Sequence, residues 1–367
     1  MKKKYLLYSF TILVFMLTLM SFINKDKKFS ELENRNLKTD FTFTVNDFIN
    51  GTFQDDYETY INDQFPMRDR WISVKSVSEY MFGKVENNGI IYGDNGQLFE
   101  KFDTFNEERL KNNIESINSF SEKYKDKVSL MIVPNSYEIY KESLPLGSPQ
   151  IMQGEIIDEI YSYLKYTNNI NIMEKLLINK DNYIYYKTDH HWTTFGAYIS
   201  YCEFVNSIGV TPIELEQYNE VILNNFYGTY FSKAKPFNID GDTLTYYEFN
   251  DLTMNIIGDN EYDSLYDYTK STLRDKYSLF LRGNNPITII KNNKLSNGKK
   301  ILVIKDSFAN SFVPFLTQHY EEVHVIDLRS FSMKLSDYMS ENSFDNILIL
   351  YNFINLATDN TILRLKY

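Results

Sequence analysis

"KILVIKDSF" (residues 300–308) is a short apolar run that ends in charged and polar residues. Two similar runs follow, "VHVIDLR" (323–329) and "NILILYN" (346–352), and segments with helical spacing separate the three. Upstream, "VSLMIVP" (128–134) has the composition of another buried strand. Short apolar strands that alternate with helices are typical of a parallel sheet with helices on both faces. The sequence therefore predicts an α/β fold built on a mostly parallel sheet.

The segments around these strands add helices, a hairpin and further strands. Residues 106–124 and 154–166 place apolar side chains at helical spacing, which predicts two amphipathic helices. Residues 89–100 have the pattern of two short strands around an Asp-Asn-Gly turn. Residues 210–300 lose the alternation and contain strand-like pieces such as "TLTYYEF" and "PITIIKN". We expect this region to be a β-rich insertion beside the core.

The N-terminus predicts export. Three lysines precede an uncharged apolar run at 5–23, and three more lysines follow it. The run is just long enough to span a bilayer, and no A-x-A-like cleavage site follows it, which favours an uncleaved anchor. The balanced lysines leave the orientation open. We predict a signal peptide or signal anchor at 1–28, a linker at 29–40 and a folded domain at 41–367, placed at the cell membrane or secreted if the helix is cleaved.

Composition narrows the function. The net charge of −11 argues against a nucleic-acid partner, which usually requires a basic face. The single cysteine, Cys202, excludes an intrachain disulfide and a multi-cysteine metal site. It occupies an apolar position of a predicted helix, so we expect it to be buried.

Ser307 lies at the predicted carboxyl edge of a parallel strand and at the start of a helix. Open α/β sheets bind ligands at that edge, and a helix N-terminus favours a developing oxyanion. The alternative is that Asp306 or Ser307 is only an N-cap. The surrounding sequence is not G-x-S-x-G, so an α/β-hydrolase nucleophile elbow is not indicated.

An aromatic run that has the pattern of a strand ends in Asp189, His190, His191 and Trp192. A predicted helix follows these four residues. Residues two apart in extended backbone point to the same side, so Asp189 can accept from His191 and fix its tautomer. His190 would then project the other way. Because serine is a poor nucleophile without a base, Ser307 and His191 make chemical sense only together.

A metal site is the alternative for the adjacent histidines. The other two histidines, His319 and His324, need not face them, and no D-x-D cluster lies upstream. Carboxylates can complete a Mg²⁺ or Mn²⁺ site, as in a metal phosphoesterase, but the spacing does not demand one. We expect no metal and no cofactor.

The assembled motifs resemble those of the DHHW family of exported bacterial proteins. Asp189-His190-His191-Trp192 matches the family's motif literally. Other stretches resemble the family's further blocks: "FSELENRNL" (29–37), "DQFPMRDRW" (63–71), "FYGTYFSKA" (226–234) and "KDSFANSFVPFL" (305–316). The resemblance covers essentially the whole chain after the N-terminal apolar run.

DHHW proteins are similar to alginate-acetylating proteins of the SGNH hydrolase-like superfamily. The resemblance implies Ser307 as nucleophile, His191 as general base and Asp189 as orienter, because the relatives' motif is Asp-x-His-Trp. It implies a circularly permuted motif order, with the serine last. It also implies O-acetyltransferase or acetylesterase activity on a cell-envelope polysaccharide or exopolysaccharide, with a membrane-bound O-acyltransferase as the acetyl-donating partner. The alternative is a non-catalytic polysaccharide-binding or assembly protein of the same fold.

The oxyanion hole and the substrate contacts are less defined, because serine stands in "KDSF" rather than in Gly-Asp-Ser. Donor candidates are the amides of Ser307 and Phe308, the side chains of Asn310 and Asn352, and the amide of Gly228. Substrate-binding candidates are Trp192 and Arg329, the latter for acidic sugars. An ordinary salt bridge is the alternative for Arg329.

Overall fold

The computed structural model describes residues 2–367 and divides the chain into two units. The N-terminal unit comprises the chain up to Val85 together with Ser232–Ile239. The sheet unit comprises Glu86–Phe231 and Asp240–Tyr367. The sequence placed the start of the folded domain at 41, whereas the structure groups residues 41–85 with the chain that precedes them.

The N-terminal unit begins with the apolar helix. Among its residues, Lys4–Ile23 is long and apolar enough to cross a membrane, and none of that stretch is buried. Gly51, with φ +88°, separates two further helices. The helices and strands of this unit are Lys2–Ile23 (α1), Phe29–Ser30 (β1), Arg35–Asn36 (β2), Val45–Asn50 (α2), Thr52–Asp63 (α3) and Arg68–Met81 (α4).

The segment predicted as a linker, 29–40, is folded. Its two short strands pair antiparallel. Buried Asp63 accepts from the Arg35 guanidinium, with Nη1 3.0 Å from Oδ2, and from the Lys38 amide at 2.9 Å. Glu33 forms ion pairs with Arg68 and Lys235. The polar composition that suggested a linker therefore belongs to a network of ion pairs.

The sheet unit is built on eight strands. Two smaller sheets accompany them, one of three strands (β3–β4–β5) and one of two (β8–β9). The strands of the unit are Glu86–Asn87 (β3), Ile90–Tyr92 (β4), Leu98–Glu100 (β5), Val128–Val133 (β6), Asn168–Asn169 (β7), Asn219–Phe226 (β8), Asp242–Glu248 (β9), Leu252–Ile256 (β10), Glu261–Tyr262 (β11), Ile287–Asn292 (β12), Lys300–Lys305 (β13), Glu322–Ile326 (β14) and Asn346–Asn352 (β15). The order in the eight-stranded sheet is β11-β10-β12-β14-β13-β15-β6-β7.

The predicted α/β class with a mostly parallel central sheet is confirmed. Strands β14, β13, β15, β6 and β7 are parallel neighbours, and the three apolar C-terminal runs are adjacent in space. Their register aligns Val303 with Val325 on one side and with Leu348 on the other. Strands β12, β10 and β11 continue the same sheet antiparallel. Part of the region expected as an insertion is therefore the edge of the main sheet, whereas β8 and β9 form a separate hairpin.

Helices cover the sheet on both faces. Along β13, Ile301 and Val303 belong to one apolar cluster, and Leu302 and Ile304 belong to the other. This alternation is what a strand buried on both faces requires. The helices are Glu107–Lys123 (α5), Ser136–Ile139 (α6), Gln153–Tyr163 (α7), Met173–Ile178 (α8), Thr194–Ser207 (α9), Thr229–Ala234 (α10), Val313–Leu316 (α11), Leu335–Glu341 (α12) and Phe353–Thr358 (α13).

Helix α9 carries the single cysteine. Cys202 is half-buried and packs at the margin of the apolar cluster that α9 contacts. Burial raises the pKa of its thiol. The expectation of a packing role agrees with this placement, although the burial is partial.

Candidate active site

Ser307 follows strand β13 at the carboxyl edge of the sheet. Lys305 ends the strand, and Ser307 opens a short 3₁₀ turn, Ser307–Asn310, that is buried throughout. Asp306 caps this turn, because its Oδ1 accepts from the Phe308 amide at 2.9 Å. The N-cap alternative considered from the sequence thus applies to Asp306 and leaves the Ser307 side chain available for other contacts.

Asp306 also joins two strand ends. Its Oδ2 accepts from the Asn352 amide at 2.8 Å, from Asn352 Nδ2 at 2.6 Å and from Asn355 Nδ2 at 3.0 Å. Asn352 ends the neighbouring strand β15. Burial raises the pKa of Asp306, partly offset by these donors. The buried carboxyl therefore fixes the turn that carries Ser307 against the adjacent strand.

The Asp-His-His-Trp segment is a bend, not the end of a strand as the aromatic run predicted. Residues 187–191 curve between Tyr185 and Trp192, which form an isolated antiparallel bridge. The Thr193 amide donates to the Ile184 carbonyl at 2.9 Å, and Thr193 then caps α9. The expected proximity of Asp189 and His191 is present, but a bend produces it.

Asp189, His191 and Ser307 form a continuous hydrogen-bonded line. Asp189 Oδ1 lies 2.5 Å from His191 Nδ1 and accepts from the His191 amide at 3.0 Å. His191 Nε2 lies 2.7 Å from Ser307 Oγ. All three residues are buried, and Ser307 retains 8% exposure. A carboxylate on Nδ1 and a hydroxyl on Nε2 is the arrangement in which imidazole can take a proton from serine.

Residues after strand β8 hold Asp189 from its other side. The Thr229 amide and hydroxyl donate to Asp189 Oδ2 at 2.7 and 3.1 Å. A Cβ on Gly228 would lie 2.2 Å from Asp189 Cβ, so only glycine permits this approach. The Gly228 amide donates to Thr188 Oγ1 at 3.1 Å. The prediction of Gly228 as an oxyanion donor is therefore corrected, because its position serves the contact with Asp189.

Trp192 lies beneath the serine turn. Its side chain is fully buried, and its Nε1 donates to the Phe308 carbonyl at 2.9 Å and lies 3.1 Å from Ser311 Oγ. Its ring stacks at 6.3 Å on Phe312. The prediction of Trp192 as a substrate contact is corrected, since the indole supports the turn from within the core.

Tyr277 is a site residue that the sequence did not reveal. Its ring lies parallel to the His191 ring, with centroids 3.6 Å apart and an interplanar angle of 8°. Its hydroxyl donates to the Ser307 carbonyl at 3.0 Å. The tyrosine thus fixes the plane of the imidazole and the backbone of the serine together. No motif surrounds it, and the many other tyrosines of the chain conceal it.

His190 also belongs to the site, which corrects the expectation that it faces elsewhere. Its ring centroid lies 3.7 Å from that of His191, its Nδ1 is 2.6 Å from Thr229 Oγ1, and Asp189 Oδ1 is 3.5 Å away. Burial opposes a charge on His190, but neighbouring Asp189 outweighs it and raises the pKa of His190. The sequence suggested separation because extended backbone alternates its side chains, whereas a bend does not.

The pKa values of His190 and His191 are shifted in opposite directions. Burial, together with the adjacent charge of His190, lowers the pKa of His191 to about 3. Burial disfavours the Asp189 carboxylate, yet both imidazoles outweigh burial and hold the pKa of Asp189 well below its usual range. The shifts therefore favour the anionic form of Asp189, the cationic form of His190 and the neutral form of His191. A neutral imidazole is the form that accepts a proton.

The same three residues place ligand-type atoms within 4.8 Å of one another. Asp189 Oδ1 and His191 Nδ1 already bond to each other, and His191 Nε2 faces Ser307. A metal ion would have to replace those bonds. His319 and His324 contact other residues, the hydroxyls of Tyr201 and Tyr338. The geometry favours a proton relay over a metal site.

The other proposed oxyanion donors are already engaged. The Phe308 amide donates to Asp306, as does the side chain of Asn352. Asn310 Nδ2 donates to Asn284 Oδ1 at 3.1 Å. The Phe308 candidate is corrected for that reason, whereas the side chains of Asn310 and Asn352 each have a second N–H and stay predictions. The Ser307 amide, at the first position of its turn, is the remaining backbone candidate, since helical turns leave that N–H without an internal acceptor.

Arg329 forms the ordinary salt bridge that was the alternative considered from the sequence, and its side chain is 38% exposed. Its Nε and Nη2 lie 2.8 and 2.6 Å from the two carboxylate oxygens of Asp327. Fully buried Lys305 lies 3.5 Å from the same carboxylate and donates to Asn310 Oδ1 at 2.8 Å. Burial lowers the pKa of Lys305 to about 8. Arg329 is thereby committed to a polar cluster beside the strand ends.

The fold and the site together define a class: an α/β protein with polar residues clustered at the carboxyl ends of a mostly parallel sheet. The sequence model of the DHHW protein family matches residues 102–326, more than half of the chain. The chain belongs to the DHHW family. A comparison with curated protein sequences finds no match.

Solved structures share the fold. A DHHW family protein from Eubacterium siraeum has a TM-score of 0.64 at 25% identity, covering 76% of this chain and 96% of its own. Bacillus cereus PatB1 with a sulfonyl adduct has a TM-score of 0.62 at 22% identity, covering 76% and 100%. The O-acetyltransferase domain of Pseudomonas putida AlgJ has a TM-score of 0.50 at 14% identity, covering 76% and 98%.

Proposed function

We propose that this protein is a serine-dependent O-acetyltransferase or acetylesterase of the cell envelope. It acts on a cell-envelope polysaccharide or an exopolysaccharide, with α1 as its membrane anchor and the sheet unit outside the membrane. The observation that carries the proposal is the hydrogen-bonded line from Asp189 through His191 to Ser307 Oγ. The sheet unit is then an SGNH hydrolase-like domain with a permuted order, in which the serine follows the acid and the base.

In the first half-reaction, His191 Nε2 takes the proton of Ser307 as Oγ attacks the carbonyl carbon of an acetyl donor. Asp189 stabilises the imidazolium that forms and keeps Nδ1 protonated. The Ser307 amide is placed to stabilise the oxyanion. The tetrahedral intermediate expels the donor's alkoxide or thiolate, which takes the proton from His191. Acetyl-Ser307 remains.

In the second half-reaction, a sugar hydroxyl or water attacks the acetyl carbonyl carbon. His191 takes the proton of that nucleophile and then returns a proton to Ser307 Oγ as the ester bond to the enzyme breaks. Attack by a sugar hydroxyl gives an O-acetylated polysaccharide, and attack by water gives acetate. Transferase and esterase thus share one acyl-enzyme.

The comparisons support a reaction of this class. One solved structure with the same fold is an O-acetyltransferase domain, that of AlgJ. Another, PatB1, carries a sulfonyl adduct, and sulfonyl reagents modify activated nucleophiles. The acetyl donor is proposed to reach Ser307 through a membrane-bound O-acyltransferase partner. The apolar helix α1 supports placement at the membrane.

The experiment is hydrolysis of a chromogenic acetyl ester by the full-length protein in detergent. We expect Ser307→Ala to lower kcat/KM by about 10³-fold or more. Ser330→Ala is the matched control, because Ser330 is an exposed serine after the neighbouring strand β14, and it should retain the wild-type rate. A sulfonyl fluoride should add to wild-type protein at Ser307, as mass spectrometry of peptides will show. Equal rates for wild type and Ser307→Ala, with no adduct, would favour the non-catalytic polysaccharide-binding alternative.

A further inference from the structure

Helix α4 of the N-terminal unit exposes an apolar stripe. Trp71, Val74, Met81 and Phe82 are 45%, 59%, 80% and 89% exposed. Their spacing places all four on one side of the helix and its C-terminal end. Tyr80, on the opposite side, contacts Phe237 of the same unit, with ring centroids 6.0 Å apart and the rings tilted at 55°. The stripe is therefore the face of α4 that turns away from the tyrosine contact.

The turn between α3 and α4, together with the first turn of α4, is tied to the chain that leaves the apolar helix α1. The Lys27 amide donates to Gln64 Oε1 at 2.9 Å, and Gln64 Nε2 donates to the Lys27 carbonyl at 3.0 Å. Lys27 Nζ also lies 3.4 Å from Asp69 in the first turn of α4. Lys27 is four residues beyond Ile23, so it lies within about 14 Å of the end of α1. If α1 crosses a bilayer, Lys27 and the first turn of α4 are held near the surface of that bilayer.

The chemistry of the stripe suits the boundary between lipid and water. Trp71 satisfies its N–H on the Pro66 carbonyl at 3.2 Å and leaves its ring exposed, and tryptophan is enriched at membrane interfaces. Lys75 and Lys84 flank the stripe, and both lie near Glu79 on its border. Apolar side chains on one face with lysines beside them are typical of helices that lie in an interface.

We propose that α4 is an interfacial helix whose stripe of Trp71, Val74, Met81 and Phe82 inserts into the bilayer surface next to α1. The occupant is lipid, because the chain ties this helix to the end of the membrane span. Anchor and helix together give the N-terminal unit two attachments to the membrane. The inference rests on the membrane anchorage included in the proposed function and is independent of the chemistry at Ser307.

The test uses the two tryptophans of the chain. The full-length protein is reconstituted into vesicles of phosphatidylcholine and phosphatidylglycerol whose acyl chains are brominated near the headgroup, a contact quencher of indole. Trp192 is fully buried and should stay bright, whereas Trp71 should lose roughly half of its emission or more if its ring lies at the acyl boundary. Trp71→Phe isolates the Trp192 emission, and the difference gives Trp71. Acrylamide in the aqueous phase should quench Trp71 little in vesicles.

Two variants of α4 make the test specific. Val74→Glu with Met81→Glu places charge in the stripe and should abolish bromolipid quenching of Trp71 while acrylamide quenching increases. Ser73→Glu is the matched control, since Ser73 is exposed on the other side of the same helix, and it should leave both signals unchanged. Trp192 emission reports on the sheet unit alone, so an unchanged far-ultraviolet circular dichroism spectrum is the check that α4 folds in each variant.

Two results would overturn the inference. In the first, Trp71 is open to acrylamide and unquenched by bromolipid although the protein floats with the vesicles. In the second, Trp71 is protected from both quenchers, which means that a second copy of the chain covers it. Neither readout depends on ester hydrolysis. An inactive protein with quenched Trp71 refutes the enzyme alone, and protein that does not float refutes the anchor.

Discussion

Burial and the charge of adjacent His190 together lower the proton affinity of His191. The cationic ring of His190 lies 3.7 Å from the His191 ring, and burial together with this charge lowers the pKa of His191 to about 3. The base-competent form is neutral imidazole, so ester hydrolysis by the wild type should persist well below pH 6.5. Replacement by neutral glutamine removes the charge but not the burial. The pKa of His191 should therefore rise, and activity should be lost at a higher pH.

We thus expect His190→Gln to move the acid limb of kcat/KM upward by about one pH unit or more. Profiles of acetyl-ester hydrolysis between pH 4 and 8 measure it. His319→Gln is the control, because His319 bonds to Tyr201 and contacts no residue of the proposed relay; its profile should match the wild type. A His190→Gln profile that shifts downward, or does not shift, contradicts the assigned charge.

Single residues of the site differ in how far the sequence identifies them. Asp189 and His191 are adjacent in one motif, and Ser307 follows an apolar strand, so composition and position were sufficient to select them. Tyr277 contacts both halves of the site, but its contacts join segments far apart in the chain. The orientation of His190 depends on the contact of its Nδ1 with Thr229 Oγ1, which no local pattern contains.

At the scale of secondary-structure elements, strong local patterns predicted the central strands correctly, whereas tertiary contacts determine the conformation of the other segments. The runs that became β6, β13, β14 and β15 are mostly apolar because both of their faces are buried. The aromatic run before Asp189 has high strand propensity, yet no neighbouring strand pairs along it and it bends instead. Strands β10 and β12 pair across a long connection, so no local pattern indicates that they extend the main sheet.

Asp306 couples two of these strands to the serine turn. Four donors reach its buried carboxyl: the amides of Phe308 and Asn352 and the side chains of Asn352 and Asn355. Asp306→Ala leaves these buried donors without acceptors, which should lower the free energy of unfolding by about 3 kcal/mol. It should also lower kcat/KM more than the loss of folded protein explains, because the Ser307 turn loses its cap.

Urea unfolding in a Trp71→Phe background measures this change, since Trp192 then reports on the sheet unit alone. Asp337→Ala is the matched control: Asp337 is exposed in the first turn of α12 and should change the free energy by less than about 0.5 kcal/mol. If both variants unfold at the same urea concentration, Asp306 does not couple the strands as described.

At the scale of the whole molecule, the division into two units explains why the composition of residues 29–40 led to the wrong prediction of a linker. The sheet unit buries apolar clusters on both faces of the sheet, which is the pattern that sequence periodicity detects. The N-terminal unit relies instead on ion pairs such as those of Glu33 and Asp63 and leaves many apolar side chains exposed. Polar segments without periodicity resemble linkers until their partners are known.

The buried histidines make the sheet unit sensitive to acid. Burial lowers the pKa of His191, His319 and His324 below the ordinary value of 6.5, whereas Asp189 raises that of His190 against the effect of its burial. A histidine with a lowered pKa binds more protons when unfolded, so its contribution to stability falls as the pH drops below 6.5. His190 acts in the opposite direction. Among the histidines three oppose one, so their combined contribution to stability should fall between pH 7 and pH 5.

Thermal unfolding followed by Trp192 emission in the Trp71→Phe protein measures this dependence, and the midpoint should fall by several degrees over that interval. His324→Phe should reduce the slope of the midpoint against pH. His324 is buried between Tyr338 and Glu322, and it has no contact with the hydrogen-bonded line of Asp189, His191 and Ser307. The slope should become shallower without reversing, since His191 and His319 remain. A midpoint that rises toward pH 5 would mean that protonation of His190 beside Asp189 outweighs the three histidines with lowered pKa values, and it would contradict the prediction.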